Sequence, residues 1–248
     1  MKVAERLPLT AECHHYANIG DVPWDIQKYW QQRYSIFSWY DYDIQLTDDA
    51  WFGVTPEPVA TKVAEDLATC AKPSATTLVD LFAGAGGNVI AFALSDRWEK
   101  IIAIEKDAAT LACAQHNAEV YEVGHLITWV HGDSFEYLEK LKTAPESLDE
   151  ELRIDTAVTE IFASPPWGGV GYRDHDIFDL NGMQPYNLAK LYEASSPLAH
   201  ALYLPRTSDL RQIAKLAPEG QKIDVVQYCM EGASKAMVAY IPSSQQLP

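Results

Sequence analysis

Val79-Asp80-Leu81-Phe82-Ala83-Gly84-Ala85-Gly86-Gly87-Asn88 passes from the apolar residues of a buried strand, through a glycine-rich turn, into the start of a helix. Glycines after a first strand let the backbone come close to a ligand at the carboxyl edge of a sheet, with Gly84 and Gly86 as the points of approach. A dinucleotide is one such ligand. The third glycine of that fingerprint is missing, however, and a lone glycine-rich turn says little by itself. Asp80 aims a carboxylate at the ligand from the strand, which suits an ammonium better than a pyrophosphate.

Outward from this turn, strands and helices alternate at βαβ spacing, which predicts an α/β fold with a mainly parallel sheet. Seven strands are expected at 77–82, 100–104, 127–131, 157–163, 199–204, 222–230 and 236–241. Helices are expected at 88–94, 108–120, 134–141, 187–194 and 209–217, and the polar, acidic 142–153 with Pro145 reads as a surface insertion. Upstream, 1–24 reads as an extended arm punctuated by Pro8, Gly20 and Pro23, and 25–75 as a small helical extension before a main domain at 76–248. Within the extension, Asp25 is the expected N-cap of an amphipathic helix to Tyr34, and the aromatic run 36–40 reads as core. Thr55 followed by Pro56 predicts the N-cap and first residue of a helix reaching about residue 71.

The composition sets outer limits. With 248 residues, 48% hydrophobic and 22% charged, the chain is globular rather than disordered, and no apolar run approaches the ~20 residues needed to span a bilayer. Cys13, Cys70, Cys113 and Cys229 lie far apart without metal-ligand spacing, so the expectation is reduced thiols in an intracellular protein and no metal. Cys13-His14-His15 reads as ordinary surface for want of a distant fourth ligand. A formal charge of −16 argues against long contacts with a nucleic-acid backbone, although a few basic residues in one pocket suffice for a short charged terminus.

Three further strand ends carry chemistry. Glu105 stands where a ribose diol would offer two donors, and Asp133 where an adenine amine would. Each acid alone could be a strand-end or helix-cap residue, Asp133 above all. The fourth strand runs into Ser164-Pro165-Pro166-Trp167-Gly168-Gly169, where two prolines stop the ladder and leave a rigid, aromatic-tipped corner. Such a corner alone reads as a strand-ending turn with a core tryptophan. Beside Asp80, Glu105 and Asp133 it fits S-adenosylmethionine with a planar acceptor at its methyl.

With these residues in place the chain resembles the Rossmann-like S-adenosylmethionine methyltransferases and, within them, the trimethylguanosine synthase family, which dimethylates the N2 amine of a 7-methylguanosine RNA cap. The resemblance covers about residues 25–241 and rests on Lys28-Tyr29-Trp30-x-x-Arg33, Trp51 through Glu57, Asp80 through Asn88, Asn117 through Tyr121, the Ser164 corner with Tyr172, and the Leu204-Pro205-Arg206 and Lys235 neighbourhoods. It implies a seven-stranded, mostly parallel sheet with helices on both faces. It implies further that Phe37, Thr55, Asp80, Glu105 and Asp133 contact adenosylmethionine, with Glu105 replacing a more usual aspartate and Gly53 a frequent serine. Trp167 would stack on the methylated guanine, Asn117 and Ser164 would border the base, and Lys28, Tyr172, Arg206 and Lys235 would face the triphosphate bridge. Small nuclear or nucleolar RNA substrates, RNP protein partners, a monomeric state and a nuclear or nucleolar location, with some cytoplasmic presence, follow from the resemblance alone.

Physical chemistry supports the same reading. A cationic base over an indole gains about 0.5–2 kcal/mol beyond stacking. The sulfonium is already an activated donor, so no strong base is needed, and Ser164 or the Pro165 carbonyl serves to aim the amine. Two rivals remain at this point: an exocyclic-amine methyltransferase acting on adenine or cytosine, which should carry a basic track, and a catalytically inactive cap-binding assembly factor.

Overall fold

In the computed structural model, which describes residues 1–169 and 176–244, successive side chains of each central strand go to opposite apolar cores. Leu78, Ile101, Ala103 and Phe162 enter one, while Val79, Ile102, Ile104 and Ile161 enter the other. The strands are β1 (Thr77–Asp80), β2 (Lys100–Glu105), β3 (Ile127–His131), β4 (Thr159–Ala163), β5 (Ala199–Pro205), β6 (Asp224–Met230) and β7 (Ala233–Ile241). They form a seven-stranded sheet in the order β3-β2-β1-β4-β5-β7-β6. Strands β1 to β5 are mutually parallel, and β7 runs antiparallel to β5 and β6. The strand order reverses between β1 and β4, the place where ligands bind in open α/β sheets.

Helices cover both faces. The extension contributes α1 (Gln27–Trp30), α2 (Arg33–Ile36), α3 (Ala50–Gly53) and α4 (Glu57–Cys70). Of these, α4 joins α5 (Gly87–Leu94) and α6 (Ala108–Val120) on one face, while α7 (Ser134–Thr143), α8 (Leu188–Ser195) and α9 (Leu210–Ala214) cover the other. No described helix is long and apolar enough to cross a membrane, and all four cysteines are free thiols.

Several local expectations need correction. The single helix expected at 25–34 is two short ones, because the backbone leaves helical geometry at Gln32 (φ −101°, ψ 14°), whose N–H turns to the Tyr29 carbonyl at 2.8 Å, while Trp30 is pinned through its Nε1 to the Tyr16 carbonyl at 2.7 Å. Thr55 does not cap α4. Pro56 occupies the N-cap with extended geometry, and the Thr55 hydroxyl instead accepts the Asn88 amide at 3.0 Å. The 142–153 stretch is not a purely surface insertion, since Leu148 and Leu152 are buried and the Tyr137 hydroxyl donates to the Leu152 carbonyl. The fourth strand starts at Thr159, after a 3-10 turn in which Asp155 accepts the Ala157 N–H. The helix expected at 209–217 stops at Ala214. Finally, β6 and β7 form one hairpin through Glu231 and Gly232, both at positive φ (51° and 76°), a turn that matches the twist of paired strands.

The arm is held along its length. Ala4 N–H donates to the Trp129 carbonyl of edge strand β3, Leu7 N–H to Gln115 of α6, and His14 pairs with Leu46.

His200 in β5 is a buried group with a measurable consequence. Burial pushes its pKa down to about 4, and its Nε2 finds no partner among the described residues. The unfolded chain takes up this proton below about pH 6.5 and the folded chain does not, so stability is expected to fall between pH 6.5 and 4 by about 3 kcal/mol. His200→Gln should flatten the melting-temperature profile across that window relative to the parent.

Candidate active site

The four strand ends β3, β2, β1 and β4 stand side by side at the carboxyl edge, and each delivers one element of the site. Asp80 ends β1, fully buried, with Oδ1 accepting the Phe82 N–H at 3.1 Å. Its Oδ2 is buried with no partner among the described residues. Burial, reinforced by the nearby Glu105 charge and only partly offset by the Phe82 hydrogen bond, pushes the carboxyl up to about 7. Asn88 Oδ1, at the far side of the same turn, is likewise buried without a partner. Two orphaned acceptors flanking a glycine-rich turn fit a cationic, donor-bearing group.

Two glycines of the turn are required by geometry. Gly86 stands at φ 99° as the N-cap of α5. A Cβ on Gly87 would sit 3.1 Å from the Thr55 carbonyl and the Val54 side chain, so the extension presses directly on the turn. Two further ties bind them, the Thr55–Asn88 bond and Asn117. Asn117 is fully buried, accepts the Gln45 N–H, and donates to the carbonyls of Gln45 and Ala85. Both N–H groups of Asn117 and one lone pair of its Oδ1 are thus engaged in holding the extension to the turn.

Glu105, at the end of β2, accepts three backbone N–H groups, from Gly84, Lys106 and Asp107, each at 2.9 Å. Burial raises its pKa against the pull of those bonds. Asp133 after β3 caps α7 through the Phe135 and Glu136 N–H groups and takes the Lys106 ammonium on Oδ2 at 3.0 Å. Although burial acts to raise its pKa, Lys106 and the cap bonds hold it below the usual carboxylate range. Both Asp133 oxygens are thus engaged, one of them by a lysine that the sequence reading overlooked.

At the end of β4, Ser164 is half-buried, Pro165 is buried, and the Ser164 hydroxyl makes no hydrogen bond among the described residues. The Trp167 indole donates to the Tyr203 carbonyl of β5 at 3.2 Å and lies 13° from parallel to the Tyr203 ring. Arg206 follows Pro205, whose β7 partner is Ala236, so Arg206 and Lys235 are brought to neighbouring register positions beside this corner. Lys28 lies 4.9 Å over the Tyr29 ring, which meets Phe52 edge-on next to Gly53. Phe37 is buried in the core against Tyr121. Tyr172 lies outside the described residues.

One further group was not anticipated. Glu57 accepts the Ser38 N–H (2.7 Å), the Ser38 hydroxyl (2.8 Å) and the Tyr121 hydroxyl (2.6 Å), fastening the aromatic 36–40 segment to the start of α4. A single sequence offers no periodic signal for a bond between positions so far apart. Among the described residues no group of three or more His, Cys, Asp or Glu could hold a metal ion.

Comparison with known proteins now gives the site a context. A family profile described as RNA cap guanine-N2 methyltransferase matches residues 75–244. The chain is 32% identical over 222 residues to the trimethylguanosine synthase of Schizosaccharomyces pombe, covering 88% of this chain and 87% of that one. It is 32% identical over 192 residues to the trimethylguanosine synthase of Saccharomyces cerevisiae, covering 76% of this chain and 57% of that one. Among solved structures, a putative methyltransferase from Porphyromonas gingivalis W83 shares the fold, with a TM-score of 0.63 at 16% identity over 91% of this chain and 52% of the other.

Proposed function

Because the chain belongs to the RNA cap guanine-N2 methyltransferase family, we propose that its four strand ends divide the work of cap methylation between donor and acceptor. The chain is an S-adenosylmethionine-dependent enzyme with a class I methyltransferase fold, and it methylates the N2 amine of 7-methylguanosine-capped RNA. The donor supplies an electrophilic methyl on a sulfonium.

In the proposed division, Asp80 holds the ammonium of the donor's amino-acid end with its orphaned oxygen, and Gly84 and Gly86 admit that end close to the backbone. Glu105 receives a ribose hydroxyl on the one Oε2 lone pair that its three N–H donors leave unused. Asp133 borders the adenine once Lys106 is displaced, while Thr55 and Phe37 meet the donor from the extension, Thr55 at the glycine-rich turn beside Asn88. On the acceptor side Trp167 stacks on the guanine, Ser164 and Pro165 orient N2, and Arg206, Lys235, Lys28 and Tyr172 meet the triphosphate. No residue is asked to act as a strong base, since the N2 proton leaves after the methyl has bonded.

The observation that carries this reading is the pairing of orphaned acceptors on the β1 turn with the Ser164–Trp167 corner on adjacent β4, across the point where strand order reverses. Incubation with adenosylmethionine and a 7-methylguanosine cap analogue, read by product mass, is expected to give one and then two added methyl groups. The unmethylated cap analogue should gain far less; tight cap binding without any mass gain would instead identify an inactive assembly factor.

We further propose small nuclear or nucleolar RNAs as substrates, delivered by RNP proteins to a monomeric enzyme in the nucleus or nucleolus, with a cytoplasmic fraction. The family resemblance supports this. Sequencing of RNA crosslinked to the enzyme in nuclear and cytoplasmic fractions tests it.

A further inference from the structure

We infer that Tyr203 is a positioning residue for cap recognition: its ring fixes the plane of Trp167 and thereby sets the selectivity for a cationic, 7-methylated base. The inference rests on the proposed stacking role of Trp167. Tyr203 lies in the middle of β5, 4% exposed, beside the strand that carries the corner. Its ring stacks on the indole at a centroid distance of 5.9 Å and an interplanar angle of 13°, within the range of an offset-stacked pair. Its own carbonyl accepts the indole N–H at 3.2 Å. One residue thus constrains the indole in two ways, through a face and through an edge.

Tyr203 is itself fixed from behind. Its ring meets Phe162 of β4 at 6.4 Å and 63°, and Phe162 meets Phe92 of α5 at 4.9 Å and 70°. Phe92 and Phe162 are fully buried, so a column of rings runs from the apolar core to the corner and ends at Trp167. Gly168 and Gly169, both at positive φ, follow Trp167, and the column packs against the indole from the opposite side of the chain's path, through Tyr203. Cation–π attraction depends on the ring face meeting the charge squarely, whereas dispersion tolerates a tilted ring better, so a loosened indole loses preference for the cation before it loses stacking.

The test compares Tyr203→Phe, which keeps the ring, with Tyr203→Leu, which removes it, alongside Trp167→Ala. Binding of adenosylmethionine and of 7-methylguanosine and unmethylated cap analogues is measured for each. Tyr203→Leu is expected to weaken the methylated cap about fivefold, within the 2- to 12-fold that an aromatic pair is worth, and the unmethylated cap less than twofold. Adenosylmethionine affinity should be unchanged and Tyr203→Phe should behave as the parent. If leucine does not fold, Tyr203→Met replaces it, read the same way. Parent-like selectivity in the leucine or methionine variant, or equal losses for all three ligands, would overturn the inference, as would a phenylalanine variant as impaired as leucine. The parent reading fails separately, by Trp167→Ala leaving cap binding intact.

Discussion

Trp167→Ala is expected to weaken binding of a 7-methylguanosine cap analogue by about 2–4 kcal/mol, roughly thirty- to several-hundred-fold, and to change adenosylmethionine affinity by less than about threefold. The magnitude combines base–aromatic stacking with the cation–π increment that the N7 methyl creates. The separation between ligands follows from the architecture, because Trp167 hangs from β4 and β5 while Asp80 and Glu105 stand on β1 and β2. Titration of both ligands by calorimetry against the alanine variant measures the split. Equal losses would remove the stacking role, and Trp167→Phe should fall between the two, keeping a ring but a weaker cation partner.

The second large effect is expected at Asp80, where affinity and stability should move in opposite directions. Asp80→Asn keeps the hydrogen bond from the Phe82 N–H but takes away the charge that a buried ammonium requires, a loss of about 3–5 kcal/mol or at least a hundredfold in adenosylmethionine affinity. The folded carboxyl titrates near 7 and the unfolded one near its ordinary value of 3.8, so between those values the native state holds a proton that the unfolded state has released. Folding stability therefore declines as pH rises through this window, and the asparagine variant escapes the decline. At pH 8 the variant should melt higher than the parent, and near pH 4 the gap should close. Parent affinity for the donor should in turn rise with pH up to about 7, by as much as tenfold per unit, since only the ionised carboxylate meets the ammonium. A variant that melts lower than the parent at pH 8 while still binding the donor well would refute both halves.

The central strands and the helices between them were legible because that part of the sheet is buried on both faces, which leaves continuous apolar runs such as Ile101–Ile104 bounded by polar residues. The acids at the strand ends and the proline corner were legible for a related reason, since chemistry at the carboxyl edge must fall at predictable points along the chain. What escaped notice depends on contacts distant in sequence. Thr55 looks like a cap from its neighbours and proves to be a partner of Asn88, 33 residues away. The bracing bonds of Asn117 have no local mark either, because they reach residues 32 and 72 positions away. Lys106 and Tyr203 carry no local mark at all. Their roles exist only once β2 lies beside β3 and β4 beside β5.

The braces between the extension and the glycine-rich turn make two distant stretches of chain thermodynamically one. Gln45, Thr55 and Glu57 can loosen only if Ala85, Asn88 and Tyr121 give up their bonds as well. Ordering is therefore reciprocal: a ligand that steadies residues 37–57 raises donor affinity by the same factor by which the donor raises the affinity for that ligand. On the role proposed for Lys28, a capped RNA that steadies the extension would tighten the donor's hold without touching it, and arrival of either substrate would prepare the enzyme for the other.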